Sequence, residues 1–467
     1  MSKTRVKYVK ISIIIAISLL FVFIYYDNRE ERVFFDENYI QMGGSQYTDR
    51  SCHLPLNVNP FDESVAKYIK VLPKSIECKY ETDPKNGLTF VDSAGTLRQS
   101  VGHYKCKYQW FDRLVGNDNQ IVYKSLRVLD PRNGIPMGDN SFVWTECEDM
   151  AGRKVYENTH FWFPLTANPN ASASSDSTDR PSVLILVIES LSRVNYLRFM
   201  PQTRDTIEKL GKVVYMKGLT KLADNSFPNM VPFLTGRRVW HNELRDEDFG
   251  PYDDWPFVWK DFSRAGYKTA LIEDFPTFTL FNYESKGFRE KPVDWYPRPY
   301  WIHLFRDVSK ILLGLIPFEL SNCYIDRYPK VDLFLQQIKH FITECNAKHF
   351  PYFAFSFYIE VTHNDFNRAQ LIDSHVSQFF HQMRHQLNNT ILVLMGDHGN
   401  RFGPVLQTVI GRIEERMPLF GVRIPDQLSQ RYPHLLATLE SNSERLMTWL
   451  DLHHLLADIA SRTSFLL

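Results

Sequence analysis

Neither sign of charge dominates this chain: lysine and arginine number 54 and aspartate and glutamate 54 among 467 residues. Without a net field there is no electrostatic footprint for a polyanion, which excludes nucleic acid as a partner. No C-x-x-C pair occurs among the six cysteines, so zinc-ribbon staples are excluded. No G-x-S-x-G elbow occurs either, which argues against a Ser-His-Asp esterase. A small-residue cleavage site of the A-x-A kind is also missing after the apolar run near the N-terminus, which ends in Tyr25-Tyr26-Asp27.

What is present sets a compartment. Residues 1–10 carry Lys3, Arg5, Lys7 and Lys10, and residues 11–26 are uncharged and almost wholly apolar. Sixteen helical residues rise about 24 Å, a little short of a ~30 Å hydrocarbon core. Tyr8, Val9 and a snorkelling Lys10 extend the span. The expectation is an uncleaved transmembrane signal anchor at 11–26 with a cytoplasmic tail at 1–10; a removed signal peptide is the alternative. The basic flank should stay cytoplasmic, so the expectation is a single-pass type II membrane protein with its bulk lumenal or extracellular. Cys52, Cys78, Cys106, Cys147, Cys323 and Cys345 are then disulfide candidates of open connectivity. Two glycosylation sequons, at Asn170 and Asn388, are compatible with export.

Residues 45–166 have short alternating segments, four cysteines and many aromatics, and read as a small β-rich, disulfide-stapled module. Residues 167–180 are polar and small, the composition of a linker. From 181 to 467 the pattern changes to apolar runs separated by helical spacing. Strands are expected at 183–188, 213–219, 268–272, 352–358, 390–395 and 418–424. Helices are expected at 196–211, 228–235, 257–265, 331–347, 370–387 and 445–460. That alternation predicts an α/β fold with a mostly parallel sheet and helices on both faces. Residues 274–328 read as an irregular, Pro-, Tyr- and Trp-rich insertion.

Three features carry chemistry. The run Thr390-Ile-Leu-Val-Leu-Met ends at Gly396-Asp-His-Gly399, so Asp397 and His398 fall just past the carboxyl end of a buried strand. Ligands bind at such ends, and carboxylate and imidazole both suit zinc or manganese; a surface turn is the plain alternative. Glu189 ends the run that starts at Val183, either as a further ligand or as a first-turn acid. Ser226 opens a helix in Asp224-Asn-Ser-Phe-Pro-Asn229, either as a metal-activated nucleophile or as an N-cap.

With Glu189-Ser-Leu-Ser-Arg193, Asp224-Asn-Ser-Phe-Pro-Asn229, Leu234-Thr-Gly236, Met395-Gly-Asp-His-Gly-Asn-Arg-Phe-Gly403, Glu414-Glu-Arg-Met-Pro-Leu419 and Leu446-Met-Thr-Trp-Leu-Asp-Leu-His453, the chain resembles the alkaline phosphatase and sulfatase superfamily. In detail it is similar to the animal "domain of unknown function 229" sulfatase-like membrane proteins. The resemblance implies an alkaline-phosphatase-like sheet, Ser226 as nucleophile and metal ligand, and Glu189, Asp397 and His398 as metal ligands. A lone glutamate on the first strand is similar to phosphoethanolamine transferases and lipoteichoic acid synthases. Sulfatases carry a Cys or Ser in C/S-x-P-S-R, whereas Asn229 and Met230 follow Pro228 here. For a second metal the candidates are Glu360 and His363; His453 and His454 read as structural.

The expected function is a metal-dependent phosphoester hydrolase or phosphoryl-group transferase of the secretory pathway. Its cofactor would be one divalent metal, zinc or manganese, or calcium if sulfatase-like. A phosphorylated lipid head group or a glycoconjugate is the expected substrate. A catalytically silent sulfatase-like ectodomain that acts by binding is the alternative, and a sulfuric ester hydrolase a further one.

Overall fold

Six apolar runs far apart in the chain become one sheet because each must bury both of its faces. In the computed structural model the described residues are 53–78, 87–165, 180–239, 243–244, 249–306, 322–324 and 327–461. The sheet contains β1 (Ser182–Ile188), β2 (Val213–Tyr215), β3 (Lys268–Glu273), β4 (Tyr352–Tyr358), β5 (Thr390–Met395) and β6 (Phe420–Arg423), in the order β2-β6-β5-β1-β4-β3. Strands β3, β4, β1 and β5 are parallel, while β6 runs antiparallel to both β5 and β2. The architecture is thus α/β with a mixed, mostly parallel sheet.

Every residue of β1, β4, β5 and β6 is buried. Alternate residues of β1 feed two cores. Leu184, Leu186 and Ile188 pack on the side of helices Lys330–Ala347 and Asp373–Met383, with Phe334, Phe341 and Phe380. Val183, Ile185 and Val187 pack on the side of Ser226–Thr235, Val258–Arg264 and Trp449–Ser461, with Phe233, Trp259 and Trp449. Helices on both faces follow from that alternation.

Ahead of this sheet, Thr89–Val91, Thr96–Gln99 and Ile135–Pro136 form a three-stranded antiparallel sheet. Lys105–Leu114 pairs with Asn117–Tyr123, Arg127–Val128 and Phe142–Glu148, and the last of these with Lys154–Phe161. Cys106 and Cys147 stand opposite each other in that ladder and are bonded. A second disulfide, Cys78–Cys323, closes a much longer loop. Cys345 is not a bridge: it is a free thiol with no exposed surface, on the core side of helix Lys330–Ala347. Of the six disulfide candidates, then, four are bridged and Cys345 is not, and Cys52 lies outside the described residues.

The largest revision falls on 274–328, which holds a helix, Arg298–Phe305, and an internal polar network. Buried Asp118 accepts from Arg113, Asn282, the Phe288 N–H and Tyr296. Arg298 donates to the carbonyls of Asp118 and Pro276 and to Thr279 and Asn119. Charges this deep are tolerated because almost every donor and acceptor is matched. Shorter revisions have local causes. The 196–211 helix breaks at Met200, where Pro201 starts Pro201–Lys209; the 370–387 helix begins as a 3-10 turn, Phe366–Ile372.

Residues 1–26, linker residues 167–179 and Asn170 lie outside the described residues. Among the described residues no helix is long and apolar enough to cross a membrane.

His303 tests the packing between the front sheet and helix Arg298–Phe305. It is 2% exposed, stacks on Phe111 at 4.4 Å and shares a hydrogen bond with Tyr123. Burial, helped by the charge of Arg306, lowers its pKa from 6.5 to about 3. The folded state therefore binds fewer protons than the unfolded one, and stability is lost as pH falls from 6.5 toward 3. At pH 5 this amounts to about 2 kcal/mol. Urea unfolding at pH 7.5 and 5.0 should show the loss in the parent, and His303→Gln should shrink it by about that amount; an equal loss in both proteins would refute the assignment.

Candidate active site

Strands β1 and β5 are parallel neighbours, with Val187 opposite Met395, so their carboxyl ends emerge side by side. Glu189 follows the first, and Asp397 and His398 follow the second. All three are buried, at 1%, 0% and 0% exposure. His398 Nε2 lies 3.5 Å from Glu189 Oε1 and 3.3 Å from Asp397 Oδ2. One donor atom from each of the three residues lies within 4.8 Å of the other two. Sheet pairing alone makes neighbours of these groups.

Their hydrogen bonding points inward. His398 Nδ1 is 2.8 Å from the Gly399 carbonyl, which can only accept. The Nδ1–H therefore donates there, which leaves Nε2 as the ring atom turned toward the carboxylates. Asp397 Oδ1 accepts from the Ser190 N–H at 2.9 Å. Its Oδ2 and the His398 Nε2 are buried with no hydrogen-bond partner. Two buried, unpartnered polar atoms beside a second carboxylate are costly unless a cation is shared among them. Burial, then the negative charge of Asp397, push the Glu189 carboxyl well above its ordinary range. Two carboxylates and an imidazole are a donor set that fits a divalent ion of the zinc or manganese type.

Close backbone approach holds the turn. A Cβ on Gly396 would stand 2.0 Å from the Leu191 carbonyl oxygen, and one on Gly399 1.8 Å from that of Glu414. The two glycines flanking Asp397-His398 are therefore steric requirements rather than turn punctuation. Beneath them Arg198 and Glu414 form a buried two-bond pair at 2.6 and 3.2 Å, with Ser192 donating to the same carboxylate. Ser190, which donates its N–H to Asp397, sits at a left-handed φ of 58° in the turn after β1.

Ser226 meets this group from a third element. It is the first residue of helix Ser226–Thr235, with Asn225 as N-cap, so the N-cap alternative for Ser226 does not hold. Its Oγ lies 3.0 and 3.1 Å from the two Glu189 carboxylate oxygens and remains partly open to solvent. Asn229 fixes the approach: its Oδ1 accepts from the N–H groups of Leu222 and Ala223, and its Nδ2 donates to the carbonyls of Ala223 and Asn225. Asn225 makes no capping bond, and its side-chain oxygen accepts one from Arg401. The first-turn N–H groups are thus left for an incoming anion.

Arg401 was not singled out by sequence reasoning, and the only signal for it is its place in Gly396-Asp-His-Gly-Asn-Arg401. The proposed second site is not assembled in the same way. Glu360 is held by Lys330 at 2.6 Å, and His363 bonds Asn364. Among the described residues, Glu189, Asp397 and His398 form the one cluster of three such groups. His453 shares a hydrogen bond with the Phe233 carbonyl and packs on Gly236, a structural position. Asn388 is exposed in the turn before β5.

A family model described as "Protein of unknown function (DUF229)" matches residues 70–464. Comparison with curated protein sequences gives no match. Solved structures share part of the trace. The zinc complex of the C-terminal periplasmic domain of EcEptC from Escherichia coli is 15% identical, covering 63% of this chain and 86% of that one, with a TM-score of 0.41. The lipoteichoic acid synthase LtaP from Listeria monocytogenes is 11% identical over 56% of this chain and 69% of that one, TM-score 0.37. A protein in the alkaline phosphatase superfamily from Vibrio parahaemolyticus is 14% identical over 53% and 60%, TM-score 0.34.

Two measurements probe the site itself. Zinc or manganese titrated calorimetrically into the chain should bind near one equivalent, and His398→Ala should weaken binding by about 100-fold or more. Unchanged binding would remove the site. Asn229→Ala strips the bonds that order 222–225 and should cost about 2–4 kcal/mol in thermal or urea unfolding.

Proposed function

We propose that this chain, which belongs to the DUF229 family, is a metal-dependent phosphoester hydrolase or phosphoryl-group transferase with Ser226 as nucleophile. The observation that carries the reading is the Ser226 hydroxyl lying 3.0 Å from the Glu189 carboxylate, beside the unpartnered polar atoms of Asp397 and His398. Glu189, Asp397 and His398, with Ser226, would hold the ion. A divalent cation there would lower the Ser226 pKa and offset charge on the phosphoryl oxygens.

The protein supplies position and electrostatics. Ser226 Oγ is aimed by Asn229 and by the start of its helix. In the first step it attacks phosphorus, the ester P–O bond breaks, and the leaving alkoxide takes a proton from water. The Ser226 proton passes to solvent. The first-turn N–H groups and Arg401, anchored on Asn225, meet the developing negative charge. In the second step water or an acceptor alcohol attacks the phosphoseryl group and restores the hydroxyl.

The expected setting is the secretory pathway, as a type II membrane protein with this site lumenal or extracellular. Two disulfides support an oxidising compartment, and a membrane anchor makes a phosphorylated lipid head group or glycoconjugate a reasonable substrate. Sulfate esters are disfavoured because Ser226-Phe-Pro-Asn229 lacks the arginine-bearing context of formylglycine formation.

The test is a screen of phosphomonoesters, phosphodiesters and sulfate esters with zinc, manganese and calcium. Ser226→Ala should lower phosphoester turnover by about 10³-fold or more, and His398→Ala by at least about 10²-fold. Activity that survives both changes rules out this mechanism, and formylglycine at residue 226 by mass spectrometry would redirect it to sulfate esters.

A further inference from the structure

Ser226 and the metal ligands stand on different elements, so their register has to be fixed by bonds that cross between them. Asn229 supplies none: its side-chain bonds all end within residues 222–225, which shapes that loop without tying it to the strands. The Ser226–Glu189 contacts compete with an ion for the Glu189 oxygens. The Arg401–Asn225 bond does cross, but at the surface. A buried crossing runs through Lys221, in the loop between β2 and helix Ser226–Thr235.

The Lys221 side chain is 8% exposed. Its ammonium donates to Asp224 Oδ1 at 2.8 Å and to Glu415 Oε1, and its backbone N–H to the Arg416 carbonyl at 2.9 Å. Each carboxylate belongs to one half of the site. Asp224 shortly precedes Ser226, in the loop that Asn229 folds. Glu415 lies in the last turn of helix Val409–Arg416, and its carbonyl accepts the Gly399 N–H at 3.1 Å, next to His398. One ammonium therefore joins the approach to the nucleophile to the backing of the metal-ligand turn. Magnitudes separate this from ordinary stabilisation. The Asp224 side chain is 81% exposed, and an ion pair that open contributes little to stability. Position matters more: displacing a reacting group by ~1 Å can cost about 10²-fold in rate.

We propose that Lys221 is a positioning residue for Ser226: through Asp224 and Glu415 it keeps the hydroxyl in register with Asp397 and His398, so that one ion can be shared. The inference rests on the preceding reading only for Ser226 as a ligand of that ion. Lys221 acts through its two carboxylates, not on the substrate.

The experiment is a double-mutant cycle on zinc affinity, measured by calorimetry on the full chain and independent of turnover. Asp224→Ala should weaken zinc binding about 5–10-fold when Ser226 is present, and less than about 2-fold in the Ser226→Ala background. Because it removes only an exposed carboxylate, it keeps the test decisive if Lys221→Met, which also strips Glu415, does not fold. A folded Lys221→Met should behave like Asp224→Ala, and Lys221→Arg, able to reach both carboxylates, should bind zinc within about 2-fold of the parent. Charge alone predicts otherwise: losing Asp224 would weaken cation binding and losing Lys221 would strengthen it. Opposite signs for those two variants, or equal losses with and without Ser226, overturn the proposal. With a phosphoester that the parent turns over, Asp224→Ala should lower kcat ~10-fold or more and leave KM within about 2-fold. A loss carried by KM alone overturns it as well. Failure of the underlying reading looks different. Zinc affinity unmoved by Ser226→Ala removes Ser226 as a ligand, and the proposal falls with it. Coupling in zinc binding without any phosphoester turnover by the parent upholds the positioning and refutes the phosphoester reading.

Discussion

The structure is organised around buried polar atoms that have no partner of their own. Glu189, Asp397 and His398 bring two carboxylates and an imidazole nitrogen together at the carboxyl ends of two adjacent parallel strands, away from water. Such a group is unfavourable for folding alone. The surroundings are shaped to hold it: glycines that let two backbones nearly touch, a left-handed Ser190, and the Arg198–Glu414 pair under the turn. Remote packing and local chemistry meet here, because the Glu414 carbonyl that forbids a side chain at Gly399 belongs to the residue Arg198 holds.

The rest of the chain decides what reaches that group. Helix Ser226–Thr235 packs its apolar face with Phe233 and Trp449 in one core, and this sets its first turn over Glu189. The Asn229 amide converts the preceding loop into a rigid approach. The segment after β3 is fastened to the front sheet through Asp118 and Arg298. Polar groups in that network are almost all satisfied, whereas Asp397 Oδ2 and His398 Nε2 in the ligand cluster are not.

Much of the sheet was legible because a strand buried on both faces has to be apolar throughout. Residues 352–358 and 390–395 are strands over the whole expected range, and 183–188 is extended by one residue. Edge strands and helix ends were less legible: 213–219 is a strand only over Val213–Tyr215, since backbone pairing with β6, invisible in composition, stops there. The helix in the aromatic insertion was missed because its buried arginine and histidine hide the usual apolar stripe. Cys345 read as a bridge candidate because counting cysteines does not say which of them the fold sets opposite one another, as it does Cys106 and Cys147.

By itself, the sequence determined which groups are available: Glu189, Ser226 and Asp397-His398, each at the end of an apolar run or the start of a helix. Their kind of chemistry follows from residue type and local backbone, which are short-range properties. Only the tertiary structure decided that β1 and β5 are neighbours, that Ser226 opens onto Glu189, that Arg401 reaches Asn225, and that Glu360 is tied to Lys330 rather than to the cluster. Those outcomes depend on strand order and on the packing of helices against the two faces of the sheet. Such contacts join residues 30 positions apart, for Lys330 and Glu360, and 176 apart, for Asn225 and Arg401, and no local pattern in the chain encodes them.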